Sequence, residues 1–179
     1  MDSLPVMVVP RLQTERTLMR EWREDDLDGY TAMVADPEVM RFLGGVGTRE
    51  DAWRGIAMHV GHWQLRGYGT WAVQRRSDGA FLGRVGLWNP EAWPGLEVGW
   101  KLARAAWGQG YATETARAAT DWAWTQLGAR RLISLIAVQN TASIRVAERL
   151  GMAPGRRGEH RGVPIVSYEI KRPAGVTGV

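Results

Sequence analysis

The spacing of apolar and polar positions changes several times along this chain, and each change marks an element. Residues 17–22 (Thr-Leu-Met-Arg-Glu-Trp) predict a first strand. Asp25 or Asp26 is placed to cap a helix reaching about Val34, and Asp36-Pro37 stops it, because proline disfavours helix in the residue before it. Thr48 predicts the N-cap of a second helix, with Asp51 at the capping-box position, and Gly67-Tyr68-Gly69 closes that helix after about Arg66. Three strands follow, at 70–75, 81–87 and 96–102, the first two joined by a Ser77-Asp78-Gly79 turn. A loop from Asn89-Pro90 to Pro94-Gly95 precedes the third. Gly99, inside that strand, predicts a bulge or a close approach of a ligand to the backbone.

Ala112, Ala116, Ala119, Ala123 and Leu127 then recur at helical spacing, a stripe small enough for the helix to lie close to a sheet, and Gly128 predicts its C-cap. Residues 131–138 are apolar on both faces except for Ser134, the pattern of a central strand covered on both sides. A short helix from Thr141 to about Leu150 buries Ile144, Ala147 and Leu150, and Gly151 ends it. Strands at about 152–159 and 163–171 close the pattern, and residues 173–179 are expected to form a mobile tail. With no linker, repeat or low-complexity stretch, residues 1–179 are expected to form one domain with a core over about 10–172.

Composition narrows the classes. The chain has 179 residues, no cysteine, and no apolar run near the roughly 20 residues that span a bilayer. The opening Met1-Asp2-Ser3-Leu4-Pro5 lacks the basic segment and apolar core of a signal peptide, so none is expected. Missing cysteine excludes disulfides, thiolate metal sites and a cysteine nucleophile, and fits a cytoplasmic protein. The net charge is +4, carried almost wholly by arginine, since Lys101 and Lys171 are the only lysines. Basic residues form pairs such as Arg75-Arg76 and Arg156-Arg157 rather than blocks, which argues against a nucleic-acid partner. The mild positive balance still helps to attract an anionic ligand.

The chemistry-bearing stretch is Trp107-Gly108-Gln109-Gly110-Tyr111-Ala112, two glycines in a turn between a strand and a long helix. Unpaired N–H groups and the positive end of the dipole make a helix start an anion site. A plain tight turn is the bland alternative. No lysine follows Gly110 as a P-loop requires. Thr113 stands where a dinucleotide fold needs its third glycine.

A second segment, running from Asn140 to Met152 with Asn140-x-x-Ser143 followed by a helix ending Leu150-Gly151, adds context. Together the two segments resemble the GNAT superfamily of acetyl-CoA-dependent N-acetyltransferases. That family's pyrophosphate loop reads Gln/Arg-x-x-Gly-x-Gly/Ala, and here Trp107 replaces the usual Gln or Arg. Trp-Gly-x-Gly-Tyr-Ala-x-Glu, ending at Glu114, resembles the ribosomal-protein N-terminal acetyltransferase branch, as do Thr14-Glu15-Arg16-Thr17-Leu18, Asp25-Asp26 and Asp36-Pro37. The resemblance covers roughly residues 10–172. It implies an α+β fold in three layers, αβα, with a central mixed, mostly antiparallel sheet flanked by helices on both faces.

It also implies acetyl transfer from acetyl-CoA to a primary amine, by direct attack in a ternary complex without a metal. Backbone amides from about Gly108 to Ala112, including those of Gln109, Gly110 and Tyr111, would cradle the pyrophosphate. Val98 and Trp100 would pair with the pantetheine arm, and a Gly99 amide would aim at the thioester oxygen. Asn140 would meet a cofactor amide, or simply cap its helix. Glu97 would be the general base, or else an exposed carboxylate that attracts a cationic substrate. Ser143 would protonate or hydrogen-bond the departing thiolate, or only bond backbone in a first helical turn; many members use tyrosine there.

His59 and His62 share a helix face but lack a third ligand, so metal binding is not expected; they could line the acceptor cleft. His160 lies near the last hairpin. Trp88 and Trp93 flank the Asn89–Gly95 loop and would wall the acceptor site. The acceptor is a protein N-terminus or a small amine, no membrane contact is expected, and the resemblance leaves room for a homodimer. A non-catalytic acyl-CoA-binding sensor on the same fold is the competing function.

Overall fold

The computed structural model describes residues 8–160, 162–176 and 178. Residues 1–7, where the signal-peptide expectation falls, and Thr177 and Val179 of the tail lie outside that set. One mixed sheet organises the rest, in the order β1-β2-β3-β4-β5-β6-β8-β7. Its strands are β1 (Leu12–Gln13), β2 (Thr17–Arg20), β3 (Thr70–Arg75), β4 (Phe81–Trp88), β5 (Glu97–Leu102), β6 (Arg131–Ala137), β7 (Ala153–His160) and β8 (Val163–Lys171). Every neighbouring pair is antiparallel except β5 and β6. The helices are α1 (Asp26–Ala35), α2 (Pro37–Met40), α3 (Arg49–Arg66), α4 (Tyr111–Thr125) and α5 (Thr141–Arg149). No helix of the described residues is long and apolar enough to cross a membrane.

The two faces of the sheet bury different sets, as the period of two requires. Met19, Trp71, Val73, Val85, Leu87 and Val98 pack with the alanine stripe of α4 and with Val146 and Ala147 of α5. Ala72, on the opposite face, packs with Trp22 and with Tyr30, Met33, Val39 and Ala52 from α1, α2 and α3. This is the expected α+β arrangement of helices on both faces. In the tail, Val176 packs against the α4-side core.

Local chemistry explains the helix ends. Thr48 and Asp51 form the predicted capping box, and Gly67 closes α3 in the left-handed region at φ 73°. The expected cap at α1 takes another form. Asp25 makes no side-chain cap bond, while Asp26 accepts from the Arg23 amide at 2.9 Å and pairs with buried Arg20 at 2.7 Å. Asp36-Pro37 ends α1 and also starts α2, a four-residue helix absent from the sequence pattern: Asp36 accepts from the Glu38 amide at 2.9 Å and proline fills the first turn.

Candidate active site

The parallel pair β5–β6 separates almost as soon as it forms. Its single register pair is Glu97↔Ile133, and the Ile133 amide bonds the Leu96 carbonyl at 2.9 Å. A continuous parallel ladder would next send the Leu135 amide to the Val98 carbonyl. Instead that amide donates to Glu97 Oε1 at 3.1 Å. Strand backbone groups alternate between edges, so Val98, Trp100 and Leu102 face the gap and Glu97, Gly99 and Lys101 face β4. The Leu102 carbonyl is capped by the Trp107 indole at 2.9 Å. Between these two closures the Val98 carbonyl and the Trp100 N–H and C=O form a free strand edge.

The bulge expected at Gly99 is absent. From Gly83↔Leu102 to Trp88↔Glu97 the β4–β5 register runs without a shift, with Gly86 opposite Gly99. The Gly99 amide therefore points toward β4 and away from the gap. What glycine supplies is room, since a Cβ there would meet only Glu97 Oε1, at 4.0 Å.

The free edge leads toward the glycine turn. Gly108 and Gly110 both take left-handed backbone, at φ 71° and 83°, open to glycine at little cost. The first bond of α4 runs from the Glu114 amide to the Gly110 carbonyl at 3.0 Å. Among the described residues, the amides from Gly108 to Thr113 thus precede the helical ladder and have no acceptor. Arg16 fixes the turn from outside, donating to the Gln109 carbonyl at 2.9 Å and lying 4.5 Å over the buried Tyr111 ring. Glu114 anchors Arg16 in turn, accepting from its Nε at 2.7 Å, from its amide at 3.0 Å, and from Thr14 Oγ1. The Thr14-Glu15-Arg16 stretch and Glu114, noted separately in the sequence, are one clamp. Trp107 leaves 45% of its surface exposed beside the turn.

On the far side of the gap, Asn140 caps α5, its side-chain oxygen accepting from the Ser143 amide at 3.1 Å. Ser143 Oγ accepts from the Trp100 indole at 3.2 Å, leaving its own O–H free to donate. Glu97 keeps some exposed surface, but its carboxyl is densely surrounded and accepts from the Trp93 indole at 2.8 Å. Burial pushes that carboxyl up to about 7, against the opposing influence of the Leu135 amide, the Trp93 indole and the Arg84 charge.

Aromatic side chains surround Glu97, with Trp93 bonded to it and Trp88 its partner on β4. Trp88 stacks on His62 at 4.4 Å, and Trp93 meets His160 edge-on at 4.9 Å. His62 Nδ1 bonds the Tyr68 carbonyl at 2.8 Å and Nε2 accepts from the Asn89 amide at 3.3 Å, an arrangement that fixes a neutral ring. His59 is buried against Trp22 and Trp88, its basicity lowered by burial and then by the charges of Arg84 and Lys101. Sequence spacing carried no warning of Arg84 and Lys101, which become neighbours only through the β4–β5 register.

A family model described as an acetyltransferase (GNAT) domain matches residues 16–153, a stretch that takes in the gap, the glycine turn and α5. The chain belongs to the GNAT acetyltransferase family. A Bacillus subtilis relative, uncharacterized protein YkkB, is 31% identical over 169 residues, covering 90% of this chain and 95% of its own. Another, the uncharacterized N-acetyltransferase YoaA of the same organism, is 23% identical over 145 residues, 79% of this chain and 82% of its own. Among solved structures, an acetyltransferase from Agrobacterium tumefaciens superposes with a TM-score of 0.83 at 28% identity, covering 92% of this chain and 95% of that one. A ribosomal L7/L12 alpha-N-protein acetyltransferase, RimL, solved with coenzyme A shares the fold at a TM-score of 0.75 and 18% identity, covering 94% and 97%.

Proposed function

We propose that the chain is a single-domain N-acetyltransferase that moves an acetyl group from acetyl-CoA to a primary amine in a ternary complex. The observation that carries this reading is the gap between β5 and β6, whose free edge at Val98 and Trp100 runs toward the unpaired amides at 108–113. An anionic pyrophosphate suits those amides, and an extended amide-bearing arm suits that edge. The family uses acetyl-CoA, and RimL, a neighbour in fold, was solved with coenzyme A.

In this reading the acceptor lies on the α3 side, facing Glu97 across the open surface of Gly99. Glu97, held near 7, takes the ammonium proton directly or through water. The free amine attacks the thioester carbon, the carbon–sulfur bond breaks, the sulfur leaves with its electron pair, and the second proton, shed by the nitrogen as the amide forms, passes through water to the sulfur to give CoA thiol. Ser143 offers its O–H to that sulfur, with Trp100 holding the oxygen in place. Because the Gly99 amide faces β4, the main-chain donor left for a carbonyl oxygen in the gap is Trp100 N–H. Asn140 orients α5 as its cap and keeps its side-chain NH2 for the cofactor.

The test is an amine-acceptor screen that detects released CoA thiol, paired with a thermal shift on adding acetyl-CoA. Saturating acetyl-CoA should raise the melting temperature, and at least one class of primary amine should release thiol. Absence of a shift overturns the reading. A shift with no release from any amine turns it into a binding function.

A further inference from the structure

Two cations on the α3 side of the sheet make no ion pair among the described residues, although the Arg84 charge is felt by the Glu97 carboxyl. Arg84 of β4 and Lys101 of β5 are cross-strand partners, so their side chains leave the same face side by side. Like charges directly opposite one another are destabilising. Arg84 Nε is buried without a hydrogen-bond partner, and Lys101 Nζ reaches the Met40 sulfur at 3.6 Å, a weak acceptor. His59, 1% exposed, feels the charge of both and leaves its two ring nitrogens unbonded.

The acids nearby are engaged elsewhere. Glu97, on the same face and strand, is held by the Leu135 amide and the Trp93 indole. Asp26 of α1 belongs to Arg20, and Asp36, which caps α2, to Arg104. Burial and then the Arg84 charge bring the Lys101 ammonium down to about 7. Between this cluster and Glu97 lie Gly86 and Gly99, a cross-strand pair of glycines that puts no side chain in the way. Gly99, over which Glu97 leans, is two residues from Lys101, about 7 Å along a strand.

We propose that Arg84 and Lys101, with His59 beside them, bind an anionic group carried by the acceptor itself, so that the second substrate is a primary amine bearing a carboxylate or phosphate about 7 Å from its nitrogen. This rests on the reading of Glu97 as the acceptor-side base. It narrows the acceptor from any amine to amines whose carboxylate or phosphate stands several bonds away, such as ω-amino acids and phosphorylated amines.

The experiment compares 5-aminopentanoate with 5-aminopentanamide and pentylamine, and includes 3-aminopropyl phosphate to tell carboxylate from phosphate. Each compound is measured twice: by thiol release with acetyl-CoA, and by calorimetric binding to protein saturated with CoA, which transfers nothing. At least one anionic amine should bind and turn over ten-fold or more better than the neutral pair. Arg84→Gln and Lys101→Met should each remove most of that preference while acetyl-CoA affinity stays within two-fold. Lys101→Met exchanges one long, partly buried chain for another, so it keeps the test open if Arg84→Gln fails to fold. Equal or undetectable binding of anionic and neutral amines overturns the proposal, as does a preference that survives Lys101→Met. Anion-dependent binding without thiol release supports the anion site and sinks the transfer reading; equal transfer to all the amines does the reverse.

Discussion

Replacing Glu97 with glutamine should make the protein more stable at pH 8 and nearly inactive, two effects with one cause. Burial raises the carboxyl from its ordinary 4.5 to about 7, so the folded state holds this proton more tightly than the unfolded chain. Stability therefore falls as pH rises from about 4.5 to about 7 and is level above that. At about 1.4 kcal/mol per pH unit, the full penalty is about 3 kcal/mol. Glutamine carries no charge and escapes it. Its carbonyl oxygen can keep the Leu135 amide bond, but its NH2 then faces the Trp93 indole donor, at a cost of about 1 kcal/mol. The net gain at pH 8 is about 2 kcal/mol, or about 4–8 °C in melting temperature for a chain of this size. By pH 5 the gain should vanish, and the lost indole bond should leave the variant equal to or slightly below the parent. Thermal unfolding of both proteins across pH 5–8 reads this directly. In parallel, kcat/KM for the acceptor should rise with pH through about 7 in the parent. In Glu97→Gln it should drop about 100-fold or more and lose that limb. A stability difference that does not change between pH 5 and 8 would refute the burial argument; retained turnover would remove Glu97 as base.

The other predictions concern the clamp, the open face and the buried ion pair. Glu114→Ala removes the acceptor for Thr14 and Arg16 and should cost about 2 kcal/mol in urea unfolding. The same change frees Arg16 from its place on the Gln109 carbonyl, so acetyl-CoA affinity by calorimetry should weaken about ten-fold or more; unchanged affinity would separate the clamp from the turn. Gly99→Leu puts a side chain in front of Glu97 without disturbing the free edge, so acceptor kcat/KM should collapse while acetyl-CoA binding holds. Loss of both would place Gly99 on the cofactor side. Asp26→Asn leaves Arg20 buried without its partner and should cost about 3–5 kcal/mol, read as the shift in urea midpoint.

Much of this could be read in the sequence because the relevant physics is local. The capping box at Thr48 and Asp51, the left-handed close at Gly67 and the alanine stripe of α4 depend on neighbours within a turn or two. Very short elements escaped: a two-residue β1 and a four-residue α2 carry too few positions to show a period. In the site, residue identity was legible and its cause was not. Gly99 suggested something unusual in the backbone, and the backbone there is regular. The departure lies on the other edge of the strand, where the Glu97 carboxylate takes the Leu135 amide that would have closed the ladder. A pairing that fails to form leaves no mark in either strand's own pattern. The Arg84–Lys101 pair is hidden for the same reason, since it exists only once β4 and β5 take their register. In the proposed reading, the cofactor side of this site is thus written in contiguous residues, a glycine turn and a helix cap. The proposed acceptor side is written in register, across strands. It follows that changing the acceptor without changing the fold should need only substitutions at the positions facing α3 on β4 and β5, namely Arg84, Gly99 and Lys101, and none in the turn from Trp107 to Ala112.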